Sequence, residues 1–279
     1  MEIILGTAQL NRPYGVLDSF REVSATPRPL ELLAFAEHSE ISGFDTAPVY
    51  GDSEILLGLS GVAKPIYTKL DPNISVDESI ERSKTRLSLE SLQCLYLHEE
   101  LVAGSRQEKI FSELSGHLGG DVKEVGVSIY SLREYEFALE IPEVTLIQVP
   151  YGVLDRRFSE GTLERAAEKG KRVLARSVLL QGLLTVSDDA ELTNFPALAP
   201  FVSGFREVAR AHNISPLTAA MSFAAENRGL SGMIIGARNV EALRAILQAA
   251  KYQISGSLIS DLGSLALPAS GMTDPRKWG

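Results

Sequence analysis

Four side chains that together can move a proton lie at or just after predicted strand ends: Asp45, Tyr50, Lys69 and His98. A phenol is a ready proton donor at neutral pH, and a nearby ammonium stabilises the phenolate that forms. A carboxylate holds the ammonium in place, and an imidazole can orient or polarise a substrate oxygen. This set of groups can protonate a carbonyl oxygen while it becomes an alkoxide.

Carbonyl reduction also needs a hydride, and no amino-acid side chain supplies one. A nicotinamide cofactor is the usual source of the hydride in proteins. The four side chains therefore predict a site that reduces a small-molecule carbonyl compound, provided that the fold brings them together.

The stretch from Ser42 to Gly58 carries two of these residues and shows how they are positioned. It reads as a strand that ends near Asp45, a tight loop with Tyr50 and Gly51, and a helix that begins near Asp52 or Ser53. Glu54 falls in the first helical turn, where the helix dipole favours an acid. Lys69 and His98 likewise end β-rich runs, so parallel neighbouring strands would carry all four side chains to one rim.

Eight such runs alternate with helical patterns, and most of them are continuously apolar, as strands buried on both faces are. An eightfold β/α alternation predicts an α/β fold, a (β/α)8 TIM barrel, with catalytic residues at the carboxyl ends of the strands. A doubly wound open sheet is the alternative, but the chain has no G-x-G-x-x-G fingerprint. The predicted strands are Glu2–Leu5, Gly43–Thr46, Ile66–Lys69, Cys94–Leu97, Val122–Ile129, Val144–Val149, Val173–Arg176 and Gly232–Ile235.

Length and composition agree with one barrel domain spanning residues 1–279, since such barrels usually have about 250 residues. A net charge of −9 argues against broad nucleic-acid binding. The sequence contains neither a signal-peptide pattern nor an apolar run long enough to cross a membrane, and it has a single cysteine, Cys94. We therefore expect a cytoplasmic protein with no nucleic-acid or membrane partner.

Seven motifs occur in an order that resembles the aldo-keto reductase family across nearly the whole chain. They are FDTAPVYGDSEILLG, YTKL, LYLHEE, GVSIYS, IQVPYGVLDRR, VLARSVLLQGLL and IIGARNVEAL. The resemblance implies a (β/α)8 barrel that reduces aldehydes or ketones with NADPH. It implies that Tyr50 is the general acid, that Asp45 and Lys69 tune it, and that His98 orients the carbonyl.

The resemblance also implies a set of cofactor contacts. Ser128 and Gln148 match positions at the nicotinamide carboxamide, and Arg176 stands where the family often stacks an aromatic ring on the nicotinamide. The remaining matches follow the phosphates and the adenosine end, with Arg238 as the partner of the 2′-phosphate: Ser177, Leu179, Gly182, Gly236, Ala237 and Arg238. The chain departs from the family pattern at Ile129, Ala242, Ala245 and Ile246.

Two other functions remain open at this point. One is a nicotinamide-binding, redox-sensing subunit with little turnover, which the apolar residues at the adenosine end would allow. The other is a metal-dependent hydrolase on the same barrel, against which the lack of a His-x-His strand motif speaks. The choice of substrate depends on four segments at the mouth of the barrel: Asn11–Thr26, Glu99–Ser105, Tyr151–Glu160 and the tail Leu267–Gly279. Tyr14 and Trp278 would help to line the substrate pocket. A sugar derivative is among the candidate substrates.

Overall fold

The eight strands are all parallel, pair in sequence order and close on themselves where β1 meets β8. This closed parallel sheet confirms the predicted (β/α)8 TIM barrel. The structure is a computed structural model that describes residues 1–10, 26–98, 107–158, 160–186, 189–265, 267 and 271–278. The strands are β1 (Glu2–Gly6), β2 (Gly43–Asp45), β3 (Ile66–Lys69), β4 (Leu92–His98), β5 (Val122–Ser128), β6 (Val144–Pro150), β7 (Arg172–Arg176) and β8 (Gly232–Gly236).

Helices follow the strands, and several begin at the serine or asparagine caps that such starts favour. Ser75, Ser215 and Asn239 each accept a hydrogen bond from a backbone amide of the first turn, and Ser131 forms a full capping box with Glu134. The helices are α1 (Pro29–Glu37), α2 (Ser53–Ser60), α3 (Val76–Leu87), α4 (Gln107–Ser115), α5 (Leu132–Glu140), α6 (Glu160–Glu168), α7 (Ala199–Ala211), α8 (Pro216–Ala225), α9 (Val240–Ala249) and α10 (Gly256–Gly263).

All eight predicted strands exist, with differences only at their ends. The leucine-rich stretch after β7 contains a short 3-10 turn, Leu180–Thr185, and α7 already begins within the stretch Phe195–Pro200 that reads as a linker in the sequence. The proposed substrate loops Asn11–Thr26 and Glu99–Ser105 lie almost entirely outside the described residues, as does Tyr14.

Two buried clusters stabilise the barrel. The larger one lies between the strands and the surrounding helices. The smaller one fills the barrel itself and consists of Ile4, Tyr67, Cys94, Tyr96, Leu146 and Leu174, with Ile234 packed against it. This filled interior means that the open space of the fold lies at the strand ends and not along the barrel axis.

Candidate active site

Asp45 and Lys69 are the last residues of β2 and β3, and they form a buried ion pair. The Lys69 Nζ lies 2.8 Å from Asp45 Oδ1, and the two side chains are only 4% and 6% exposed. The same Nζ donates a second hydrogen bond to the backbone carbonyl of Thr46, at 2.8 Å. A buried charge needs this kind of compensation, because an unpaired one would pay the full cost of desolvation.

Tyr50 lies in the turn between β2 and α2, next to this ion pair. The Lys69 Nζ is 5.0 Å from the centroid of the Tyr50 ring. Burial acts to lower the pKa of Lys69, but the Asp45 carboxylate and a hydrogen-bonded Tyr50 outweigh it and raise that pKa. The ammonium therefore stays charged beside the phenol at neutral pH.

His98 ends β4 and faces the same space. Burial, followed by the positive charges of Lys69 and Arg176, lowers the pKa of its imidazole to about 4, although Asp45 acts in the opposite direction. At neutral pH the imidazole is therefore uncharged and can donate one hydrogen bond from its N–H.

Ser128 and Gln148 lie level with His98, because the register pairs His98 with Ser128 and Ser128 with Gln148. The side-chain amide of Gln148 donates to Asp45 Oδ2 at 2.7 Å, across the barrel from β6 to β2. Sequence reasoning placed Gln148 at a nicotinamide carboxamide and did not include this contact. Gln148 satisfies the second oxygen of Asp45, and its own carbonyl oxygen can still accept a hydrogen bond.

Arg176 ends β7, at the position where the family often stacks an aromatic ring on the nicotinamide. Its Nη2 donates to the backbone carbonyl of Ile129 at 3.0 Å, and its guanidinium carbon lies 3.8 Å from the centroid of the Tyr130 ring. The ring that the guanidinium stacks on in this structure is thus one of the protein's own.

The segments after β7 and β8 contribute the other predicted cofactor residues. Ser177 has a φ of 59° and Gly182 a φ of 93°, so the chain after β7 turns sharply through left-handed conformations near Leu179. Gly236 ends β8, and a Cβ there would lie 2.9 Å from Gln9 Nε2. Arg238 follows, just before the N-terminus of α9.

All of these groups line one cavity of about 510 Å³ at the carboxyl ends of the strands. Of the residues predicted for the site, the cavity is lined by Asp45, Tyr50, Lys69, His98, Ser128, Gln148, Arg176, Ser177, Leu179, Gly182, Gly236, Ala237 and Arg238. Trp278, suggested as a lining residue, instead packs against Phe195, with ring centroids 5.6 Å apart.

Sequence reasoning missed several lining residues. Gly6 ends β1, and Thr7, Ala8 and Gln9 follow it; they reach the cavity because the closed barrel pairs Gly6 with Gly236. A closed barrel places the end of β1 beside the end of β8, so the predicted fold alone could have identified these lining residues. Tyr130 gave no such signal, since nothing in its local sequence marks it as a lining residue.

Glu54 also needs a revised interpretation. It is fully buried, accepts a hydrogen bond from Thr68 Oγ1 at 2.7 Å, and lies 3.3 Å from Arg86 Nε. Glu54 thus forms an internal ion pair with Arg86, in addition to its favourable interaction with the dipole of α2.

The lining fits a nicotinamide dinucleotide. Its groups differ in chemistry: the polar side chains of Ser128, Gln148 and His98 lie at or near the ends of β5, β6 and β4, and Arg238 lies just before the N-terminus of α9. Helix N-termini and guanidinium groups both bind phosphate. Small and apolar side chains of α9, those of Ala242, Ala245 and Ile246, also line the cavity, and a flat base can pack on such side chains.

A sequence profile described as the Aldo/keto reductase family matches residues 2–266. The chain belongs to this family. Aldo-keto reductases are NAD(P)H-dependent oxidoreductases that act on small-molecule carbonyl compounds, so the chain is an enzyme of that class.

Individual relatives agree with the assignment. The chain is 25% identical to the aldo-keto reductase str7 of Strobilurus tenacellus, over 91% of this chain and 83% of that one. It is similar in fold to the holo form of aldo-keto reductase AKR11C1 from Bacillus halodurans, with a TM-score of 0.76 at 17% identity, covering 95% of this chain and 92% of that one. It also resembles the glycerol dehydrogenase AKR11B4 of Gluconobacter oxydans, with a TM-score of 0.67 at 21% identity, covering 94% and 90%.

Within the described residues, no helix is both long and apolar enough to span a lipid bilayer.

Proposed function

We propose that this aldo-keto reductase uses NADPH to reduce an aldehyde or ketone to an alcohol, with Tyr50 as the general acid. The observation that carries the proposal is the buried Lys69–Asp45 ion pair beside Tyr50 in a cavity at the strand ends. When bound, the reduced nicotinamide supplies the hydride. The protein's own side chains carry out the proton transfer and orient the carbonyl group.

The proton comes from the hydroxyl of Tyr50 and goes to the carbonyl oxygen of the substrate as that oxygen gains negative charge. The Lys69 ammonium stabilises the phenolate that remains. Asp45 holds the ammonium at 2.8 Å, and Gln148 holds the second oxygen of Asp45 at 2.7 Å. The neutral imidazole of His98 donates a hydrogen bond to the same carbonyl oxygen and so orients it.

In this proposal the cavity would hold the cofactor. Ser128, Gln148 and Arg176 would bind its nicotinamide end, Ser177, Leu179 and Gly182 its phosphates, and Gly236 and Arg238 its adenosine end. Arg238 binds the 2′-phosphate, which gives the preference for NADPH over NADH.

The single cysteine, Cys94, is buried in β4, which supports a reducing, cytoplasmic location.

The substrate is a small carbonyl compound, and a sugar derivative is our proposed class. The relative that is named a glycerol dehydrogenase directs attention to polyols and their carbonyl forms. A substrate panel therefore includes keto-sugars, glyceraldehyde and dihydroxyacetone besides simple aromatic aldehydes.

Replacing Tyr50 by Phe tests the proposal, because it removes only the hydroxyl group. We expect kcat for the best carbonyl of the panel to fall by about a hundredfold or more, because a general acid typically contributes about a hundredfold to ten-thousandfold. Fluorescence titration should give the same Kd for NADPH in the variant and the wild type, and a weaker Kd for NADH in both. Unchanged turnover by the Phe variant would remove Tyr50 from the mechanism.

A redox-sensing subunit with little turnover is the second candidate. It is favoured by one feature, the small and apolar lining that Ala242, Ala245 and Ile246 provide. Tight NADPH binding by the wild type without oxidation by any carbonyl of the panel would support this candidate instead.

A further inference from the structure

Arg176 is a half-buried cation in the wall of the cavity. Two contacts fix its guanidinium group: the hydrogen bond to the Ile129 carbonyl and the stack on Tyr130. Its Nε is buried and has no hydrogen-bond partner among the described residues. Neither fixed contact carries a negative charge, so the position of this group is set while no described residue neutralises its charge.

The neighbouring arginines are different. Arg276 stacks on the same Tyr130 ring at 3.5 Å, but it forms an ion pair with Asp274 at 2.7 Å. Arg157 forms one with Asp155 at 2.8 Å. In the part of the chain that the structure describes, no carboxylate lies within ion-pair distance of Arg176.

The position of Arg176 matters because of where the chemistry must take place. The carbonyl oxygen has to reach Tyr50 and His98, so the ring that gives up the hydride must lie within about 3.5 Å of the carbonyl carbon beside them. The charge of Arg176 already acts on His98, whose pKa it helps to lower. The same charge therefore acts on the space that the nicotinamide ring has to occupy.

The two redox states of the nicotinamide ring differ in charge, since the oxidised ring carries a positive charge and the reduced ring is neutral. A fixed, uncompensated cation close by repels the oxidised ring and leaves the reduced ring almost unaffected. We propose that Arg176 selects the redox state of the cofactor, so that the cavity binds the reduced dinucleotide more tightly than the oxidised one.

This inference rests on the proposed function, because it assumes that a nicotinamide ring lies beside Tyr50. Its consequence is kinetic. The equilibrium of the overall reaction in solution is unchanged, but oxidised cofactor leaves more readily and inhibits less as a product. An enzyme with this property works in the direction of carbonyl reduction when both redox forms are present.

The test compares Arg176→Gln and Arg176→Lys with the wild type, by isothermal titration calorimetry with NADPH and with NADP⁺. We expect the ratio of the NADP⁺ Kd to the NADPH Kd to fall at least tenfold in the Gln variant, because two unit charges a few ångströms apart at an effective dielectric constant of about 20 interact by more than the roughly 1.4 kcal/mol that a tenfold change requires. The Lys variant keeps a positive charge and should keep a ratio close to that of the wild type.

Two control variants separate charge selection from other effects. Arg276→Gln removes a cation from the same Tyr130 ring, but one that Asp274 already neutralises, so the ratio should not change. Arg238→Gln weakens NADPH and NADP⁺ equally, because both carry the 2′-phosphate, and again leaves the ratio unchanged. The pair NADH and NAD⁺ should show the same dependence on Arg176, since the effect originates at the nicotinamide.

The outcomes distinguish the two proposals. If the Gln variant binds both forms with the wild-type ratio, Arg176 does not select the redox state and this inference is wrong. If the wild type binds no nicotinamide dinucleotide at all, the proposed function itself fails. A ratio that falls in the Gln variant and is retained in the Lys variant, as measured by binding alone, supports charge selection independently of turnover.

Discussion

The imidazole of His98 sits close to two positive charges, those of Lys69 and Arg176. Burial and these two charges hold its pKa at about 4, below the ordinary value of 6.5. Over the pH range in which most histidines change charge, His98 keeps one state. In the role that we propose for His98, a neutral donor is useful, because its hydrogen bond to the carbonyl oxygen would not depend on small changes of pH.

This histidine also makes folding stability depend on pH. Between pH 6.5 and about 4 the unfolded chain binds a proton at His98 that the folded chain does not bind. The free energy of unfolding should therefore fall as the pH falls through this window. Urea denaturation at pH 7 and pH 5 measures the effect.

We expect His98→Gln to reduce this loss of stability between pH 7 and pH 5. NMR titration of the wild type should place the midpoint of the His98 resonance near 4. An equal loss of stability in the Gln variant and the wild type, or a midpoint near 6.5, would contradict the assignment of His98 as a neutral group.

At the scale of elements, the turn that carries Tyr50 is held by two helices and a strand. Arg86 of α3 donates a hydrogen bond to the backbone carbonyl of Gly51, the residue after Tyr50. It also pairs with the buried Glu54 of α2, which in turn accepts a hydrogen bond from Thr68 of β3. Thr68 directly precedes Lys69, so one network connects the backbone on which both Tyr50 and Lys69 stand.

We expect Glu54→Gln and Arg86→Lys to act as changes at positioning residues. Each should lower kcat by about tenfold to a hundredfold, because small displacements of a reacting group are costly. The KM for the carbonyl and the Kd for NADPH should change little, since neither side chain lines the cavity. Steady-state kinetics together with cofactor titration separates the two effects.

Stability gives a second measurement for the same network. Removing the charge of Glu54 leaves Arg86, only 21% exposed, without its partner, and should lower the free energy of unfolding by about 3 kcal/mol. Glu81→Gln on α3, the helix that carries Arg86, is the control, because the side chain of Glu81 is 66% exposed and the loss of its charge should be nearly neutral. A Glu54 variant with full kcat would show that the network supports folding only.

At the scale of the whole molecule, the barrel is stable because its interior is filled. Gly126 of β5 makes room for the ring of Tyr96: a Cβ at this position would lie 2.5 Å from Tyr96 Cδ1 and 2.9 Å from the carbonyl oxygen of Leu146. Tyr96 is fully buried, and Lys69 Nζ lies 5.8 Å from its ring centroid. The packing of the interior is thus connected to the base of the site.

Gly126→Ala should lower the free energy of unfolding by about 1–3 kcal/mol, the usual cost of overfilling a packed core. Chemical denaturation monitored by circular dichroism measures the change. Gly161→Ala is the matched control, since no described neighbour lies within 4 Å of a Cβ at that helical position. If both variants kept wild-type stability, the interior would be looser than the structure indicates.

The sequence by itself determined the order of the strands and the positions of the groups at their ends. Continuous apolar runs mark buried parallel strands, and in a closed parallel barrel all carboxyl ends meet at one rim. That is why Asp45, Lys69 and His98 were predicted to converge, and why the family assignment agrees with the fold.

Only the tertiary structure decided how these groups are connected. The bond from Gln148 to Asp45 joins residues 103 positions apart, and the stack of Arg276 on Tyr130 brings the end of the chain beside β5. Local periodicity shows which face of an element is buried, but it carries no information about which distant side chain lies opposite. The lowered pKa of His98 and the stack of Arg176 on Tyr130 both depend on such distant neighbours, so they appear only when the barrel is closed.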